Sequence, residues 1–148
     1  MANYSVDGSR TADAALAVIG LTAHATTPRR CRLYELGFGS EAAPADNVYS
    51  WAIDRGTTAL GTSTAVTPSP LDPADVASLS GAGQNYTVNP TIGVRVYRQP
   101  LNQRASFRWV AQPGKEIVLA AVANLSLVVR TPTMTALAVA AYFHFEEL

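Results

Sequence analysis

Asn47-Val48-Tyr49-Ser50-Trp51-Ala52-Ile53-Asp54-Arg55 is the clearest alternation in the chain. Tyr49, Trp51 and Ile53 share one face of an extended segment, opposite Val48, Ser50, Ala52 and Asp54. Side chains alternate sides along a β-strand, so a period of two with aromatic and β-branched residues on one side predicts a strand packed on a core. The same period recurs downstream. Ile92, Val94 and Val96 alternate with Arg95 and Tyr97, and Phe107 and Trp109 stand opposite Ser106, Arg108 and Val110. Leu137, Val139, Ala141, Phe143 and Phe145 share a face at the C-terminal end. Upstream, Arg32–Phe38 places Tyr34, Leu36 and Phe38 on one face, with Leu33 and Glu35 on the other.

Turn signals separate these segments. Thr26-Thr27-Pro28-Arg29-Arg30, Gly39–Asp46 and Gln99-Pro100 interrupt them, and Gln112-Pro113-Gly114-Lys115 has the Pro-Gly order of a type II turn. Seven or eight short strands at regular spacing predict an all-β fold, a jelly-roll or β-sandwich of antiparallel strands. The expected core includes Tyr49, Trp51, Ile53, Val94, Val96, Phe107, Trp109 and Phe143. With 148 residues and no internal repeat, one domain is expected.

Two stretches do not follow the strand period. Thr11–Ile19 reads either as a short helix, capped by Thr11 or Asp13 and stopped by Gly20, or as part of an extended N-terminal arm over about residues 1–25. Thr57–Gly83 holds three prolines and repeated Thr, Ser and Gly, which argue against a continuous ladder. It carries few charges and is punctuated by Leu60, Val66, Leu71, Val76 and Leu79. That composition suits a long loop laid over the framework and presented to a partner rather than a flexible linker.

Composition narrows the chemistry. Hydrophobic residues make up 48% of the chain and charged residues 15%, with zero formal net charge. No basic field for nucleic acid or polybasic membrane signal follows from that balance. A weakly charged surface instead favours self-association. The N-terminus lacks a basic n-region and Ala14–Leu21 is too short to span a bilayer, so a soluble protein made in the cytoplasm is expected.

No catalytic constellation emerges, so no enzyme activity, cofactor or metal is expected. Cys31 is the only cysteine and is expected to be a buried, inert thiol. His24 and His144 are the only histidines, and no His-x-His or His-x-Asp pair is present for a cupin-like metal site. Asp72 and Asp75 provide too few oxygens for calcium; Asp72 is expected to cap a turn that begins at Pro73. The glycines of Gly37-Phe38-Gly39-Ser40 are expected to serve a bulge or turn.

Thr26–Arg30, Phe38-Gly39-Ser40-Glu41 and Pro44-Ala45-Asp46-Asn47 begin a longer resemblance. It continues through Gly61–Pro68, Leu71–Asp75, Gly83-Gln84-Asn85, Pro100–Trp109 and the aromatic-acidic close Phe143–Glu147. Over nearly its whole length the chain is similar to small structural proteins of tailed bacteriophages, of the capsid decoration (cement) kind. The resemblance implies a jelly-roll sandwich assembling as a homotrimer on the outer capsid surface of the virion, made in the host bacterial cytoplasm and bridging major capsid protein subunits. It implies no catalytic residues, cofactor, nucleic acid or membrane partner. The contact residues expected are Arg10, Arg29, Arg30, Thr62, Thr64, Thr67, Pro68 and Pro70. The alternative is a receptor- or glycan-binding fibre or adhesin module that uses aromatics such as Tyr97 and Trp109.

Overall fold

The computed structural model describes residues 1–148 and contains twelve strands and no helix. In chain order they are β1 (Ala2–Thr11), β2 (Ala17–Thr22), β3 (Cys31–Ser40), β4 (Val48–Gly56), β5 (Thr62–Val66) and β6 (Ser69–Pro70). There follow β7 (Gly81–Val88), β8 (Ile92–Asn102), β9 (Phe107–Val110), β10 (Ile117–Leu119), β11 (Ser126–Arg130) and β12 (Ala138–Glu147). One six-stranded sheet runs β10-β3-β12-β1-β6, with β9 also paired to β3; the other runs β5-β7-β2-β11-β4-β8. Every pairing is antiparallel, and the two sheets form a β-sandwich.

The Asn47–Arg55 alternation becomes β4, held between β11 and β8. Tyr49, Trp51 and Ile53 are fully buried in the main core with Leu33, Leu36, Val139, Phe143 and Phe145. Trp51 stacks on Phe38 of the facing sheet at 4.5 Å between ring centroids, and Phe38 in turn stacks on Phe107 at 5.3 Å. Aromatic side chains bury large areas and add a stacking preference, so this column is a principal bond between the sheets. Val96, Phe107 and Trp109 are partly buried against the same core.

Val94 departs from the expected core and is 72% exposed. The register of β8 on β4 shifts between Ile53 and Asp54 and again between Asp54 and Gly56. An extra residue in one strand reverses which face the following side chains take, so the alternation read from Ile92 to Val96 does not stay in phase.

The N-terminal region is framework, neither helix nor arm. β1 pairs with β12 over its whole length, from Ala2↔Glu147 to Thr11↔Ala138, and buries Tyr4 and Val6. β2 lies between β7 and β11, with Ala17, Val18, Ile19 and Leu21 all buried. A strand covered on both faces loses its polar alternation, and a short run of alanines and aliphatics then resembles a helix. The Asp13 side chain accepts from the backbone N–H groups of Ala15 (2.7 Å) and Leu16 (3.2 Å), so the expected cap is present, on a turn.

Thr57–Gly83 is likewise more structured than a loop. β5 pairs with β7 at one edge of its sheet, and β6 pairs with β1 in the other sheet, so the segment crosses between layers. Leu60 packs on a second small cluster of Ala17, Tyr86 and Val128. Edge strands tolerate proline because one row of N–H groups is unpaired, and Pro70 uses that tolerance. Between Gln112 and Lys115 the predicted turn forms, with Gly114 at φ 78° and Lys115 N–H donating to the Gln112 carbonyl at 2.9 Å.

Candidate interaction surface

β6 ends at Pro70, and the next ten residues return to the opposite sheet with no strand of their own. They are nevertheless fastened along their length. Leu71 N–H donates to the Asn3 carbonyl at 2.8 Å, which holds the segment to β1. The Asp72 carboxylate accepts from Ala74 N–H at 2.9 Å, and its carbonyl accepts from Asp75 N–H at 3.0 Å. Asp72 therefore caps a turn whose first residue, Pro73, has a preset φ. The Tyr4 hydroxyl donates to the Val76 carbonyl at 2.9 Å. Burial first, then the nearby carboxylates of Glu147 and Asp75, raise the pKa of that hydroxyl.

The far end is held by Glu147. Its carboxylate accepts from Ser80 Oγ at 2.6 Å, Ser80 N–H at 2.9 Å and Leu79 N–H at 3.0 Å. Hydrogen bonds to an ionised acceptor are the strong ones. The acidic close of the chain therefore acts as an anchor, not as a solvated tail. Ser80 also lies 3.0 Å from the Cys31 sulfur, and burial pushes the Cys31 thiol up to about 11. At that value the thiol is protonated and unreactive near neutral pH.

Between these fastenings the segment shows apolar side chains to solvent: Leu71 is 51% exposed, Val76 77% and Leu79 40%. Val76 and Leu79 line a groove of about 360 Å³ with Met1, Leu148 and Arg29. Leu71 lines a separate hollow with Asn3, Tyr34 and Asp72. Single exposed apolar residues are ordinary, whereas several along one segment make it a candidate contact surface. All three were visible in the sequence as apolar punctuation of Thr57–Gly83. The exposed Met1, whose chain end carries no pattern, was not.

The expected contact residues are dispersed. Arg29 and Arg30 are exposed, and Arg29 lines the groove. Thr62, Thr64 and Thr67 are exposed along and just beyond the β5 edge. Pro68 is buried and Pro70 half-buried opposite Tyr4 in the β6–β1 pairing, so neither proline is presented. Arg10 faces inward as well. Its Nη1 donates to the carbonyls of Ala17 and Tyr86, both at 2.9 Å, tying β1 to the other sheet. An arginine that satisfies buried carbonyls serves the framework. Tyr97 and Trp109 pack against the core, so they do not form an open aromatic platform.

Two carboxylates not singled out as acids in the sequence organise the sheet faces. Glu35 accepts from Arg108 Nε and Nη2 at 2.7 Å each and from the Tyr142 hydroxyl at 2.7 Å, with His144 Nδ1 at 3.8 Å. The Arg108 hydrogen bonds, assisted by Tyr142 and opposed by burial, hold the Glu35 carboxyl down at about 2. Asp54 is buried and pairs with Arg95 at 2.8 Å and Arg130 at 3.4 Å. Sequence spacing did not reveal either cluster, because their members meet only across strands. His24 accepts at Nδ1 from Thr27 N–H at 2.9 Å, which makes it a turn cap. No group of three or more His, Cys, Asp or Glu side chains converges as metal ligands would. Comparison with family models, curated proteins and solved structures finds no match.

Proposed function

We propose that this protein is a structural component of a tailed-phage virion, a homotrimer that decorates the outer capsid surface and stabilises it by bridging major capsid subunits. The observation that carries this reading is the Leu71–Ser80 segment. It is irregular in backbone, held at both ends by Asn3 and Glu147, and it presents Leu71, Val76 and Leu79 outward. A fastened apolar surface loses little entropy on docking, which favours tight contact without large rearrangement. The zero net charge of the chain and its resemblance to capsid decoration proteins support the same reading.

The mechanism is mass action. A protein that binds the assembled shell and not its separated subunits stabilises the shell in proportion to the logarithm of its own concentration over Kd. The Leu71–Leu79 surface would meet a capsid subunit, and the exposed Thr62, Thr64 and Thr67 edge would meet a neighbouring copy. Cosedimentation of the purified protein with expanded, undecorated capsids tests this directly. It is expected to pellet with the shells and to raise the temperature at which they rupture. A protein that stays in the supernatant across a wide concentration range would rule the reading out.

A further inference from the structure

The outer face of the β1–β12–β3–β9 surface carries a second groove, well separated in its residues from the contact segment. Register places Asp7 opposite Tyr142, Tyr142 opposite Gly37, and Gly37 opposite Arg108, so these four form one row across four strands. The adjoining row is Ser9, Ala140 and Gly39, with Ser106 beside Gly39. These residues, Ser9 apart, line a trough of about 440 Å³, within the size range of small-ligand clefts.

Three details make the trough look built. A Cβ at Gly37 would stand 2.2 Å from Tyr142 Cε1, so the tyrosine ring lies down over the glycine and turns its other face outward. The ring is fixed there by the bond from its hydroxyl to Glu35. Arg108 spends Nε and Nη2 on the same Glu35, leaving Nη1 free on a side chain 66% exposed. Small residues at Gly39 and Ala140 keep the floor open. Glycine in a strand interior weakens the strand and commonly marks a place where another group comes close.

We propose that this trough is a binding site for a neutral saccharide of one or two rings. The C–H face of a sugar ring carries slightly positive hydrogens, which suit the negative face of the Tyr142 ring. Its hydroxyls each donate and accept. The exposed Asp7 carboxylate accepts from them on one rim, while Arg108 Nη1 and the Ser106 hydroxyl donate on the other. Charge decides between ligand classes. Asp7 disfavours an anion, and at the other end of the row Arg108 is already neutralised by Glu35 and offers its free Nη1 as a donor; a neutral polyol, which both donates and accepts, meets both ends. This site is independent of capsid binding, so it stands or falls separately from that reading.

The test is a printed array of neutral hexose and N-acetylhexosamine oligosaccharides, with sialylated and sulfated glycans alongside, probed with the full-length protein. The best binder is then titrated calorimetrically. Neutral glycans are expected to bind. Asp7→Ala should weaken binding roughly tenfold or more, as expected for losing a hydrogen bond to a charged group. Gly39→Leu should abolish it, because a Cβ there meets nothing closer than 3.4 Å and the added side chain fills the trough without disturbing the core. Both variants are checked for unchanged melting. An array with no neutral binder, binding unaffected by both substitutions, or preference for charged glycans or for N-acetylarginine amide would overturn the proposal.

Discussion

Thr57–Pro70 and Leu71–Ser80 are consecutive in the chain, and each scatters aliphatic residues among small and hydroxylated ones and is broken by proline; the first carries no charge, the second Asp72 and Asp75. The fold treats them differently. The first supplies β5 and β6, packs Leu60 on the Tyr86 cluster and Val66 on the main core, and buries Pro68. The second has no ladder, is tied by side chains to both termini, and shows its three large aliphatics to solvent. Backbone partners separate the two. Thr57–Pro70 adds β5 and β6 to existing ladders and sets Leu60 and Val66 against packed clusters. Leu71–Ser80 has only scattered anchors, the Asn3 carbonyl, the Tyr4 hydroxyl and the Glu147 carboxylate, and its three large aliphatics pack on neither cluster.

The largest expected effect comes from removing the first part. From the sequence alone, deletion of Thr62–Pro70 would spare the fold, since the stretch reads as a loop. With β5 paired to β7 and β6 to β1, the deletion is expected to abolish folding. Loss of the cooperative thermal transition and of the far-UV strand signal would register it. A folded deletion variant would break the distinction between the two parts.

A smaller effect is expected at Gly20, under Leu60. A Cβ there would lie 2.2 Å from the Tyr86 hydroxyl and 2.9 Å from both Leu60 Cδ2 and Val128 Cγ1. Gly20→Val should cost about 1–3 kcal/mol by overpacking, measured by urea denaturation. The framework also has a pH signature. Glu35 is held at about 2, against 4.5 for a free glutamate side chain. Its folded pKa is depressed, so its contribution is complete above about pH 4.5 and is lost as pH falls towards 2. Glu35→Gln should remove that share of the acid slope and leave amide exchange in Leu71–Ser80 unchanged at neutral pH.

Legibility in the sequence followed burial. Strands with one drier and one wetter face, such as β9 and β12, declared themselves by alternation; β4 did so although both its faces are buried, because its second face carries the polar Ser50 and Asp54. β2 did not, since both of its faces are covered; β8 was read out of phase because its bulges are set by pairing with β4. β5 was hidden by threonines and serines suited to an edge but typical of loops. The five apolar residues that punctuate Thr57–Gly83 were visible, yet which of them would be exposed depends on long-range partners, Glu147 for Ser80 and Asn3 for Leu71. The Glu35–Arg108–Tyr142 cluster joins residues 73 and 107 positions apart, a separation no local pattern reveals.

The smaller stability effects fall in the second part, where they separate anchoring from contact. Glu147→Gln keeps one acceptor oxygen and loses the charge, so about 1 kcal/mol is expected, with faster hydrogen exchange at the Leu79 and Ser80 amides. Replacing Leu71, Val76 and Leu79 together by serine should change stability least, because exposed side chains contribute little to the folded state and such changes usually stay within about 0.5 kcal/mol each. The same triple variant should lose cosedimentation with capsids, since it removes the apolar area that docking would bury. Retained melting with lost binding is the pattern of a presented surface. Lost melting would make these residues part of the core after all, and retained binding would move the capsid contact elsewhere, first to the Thr62–Thr67 edge.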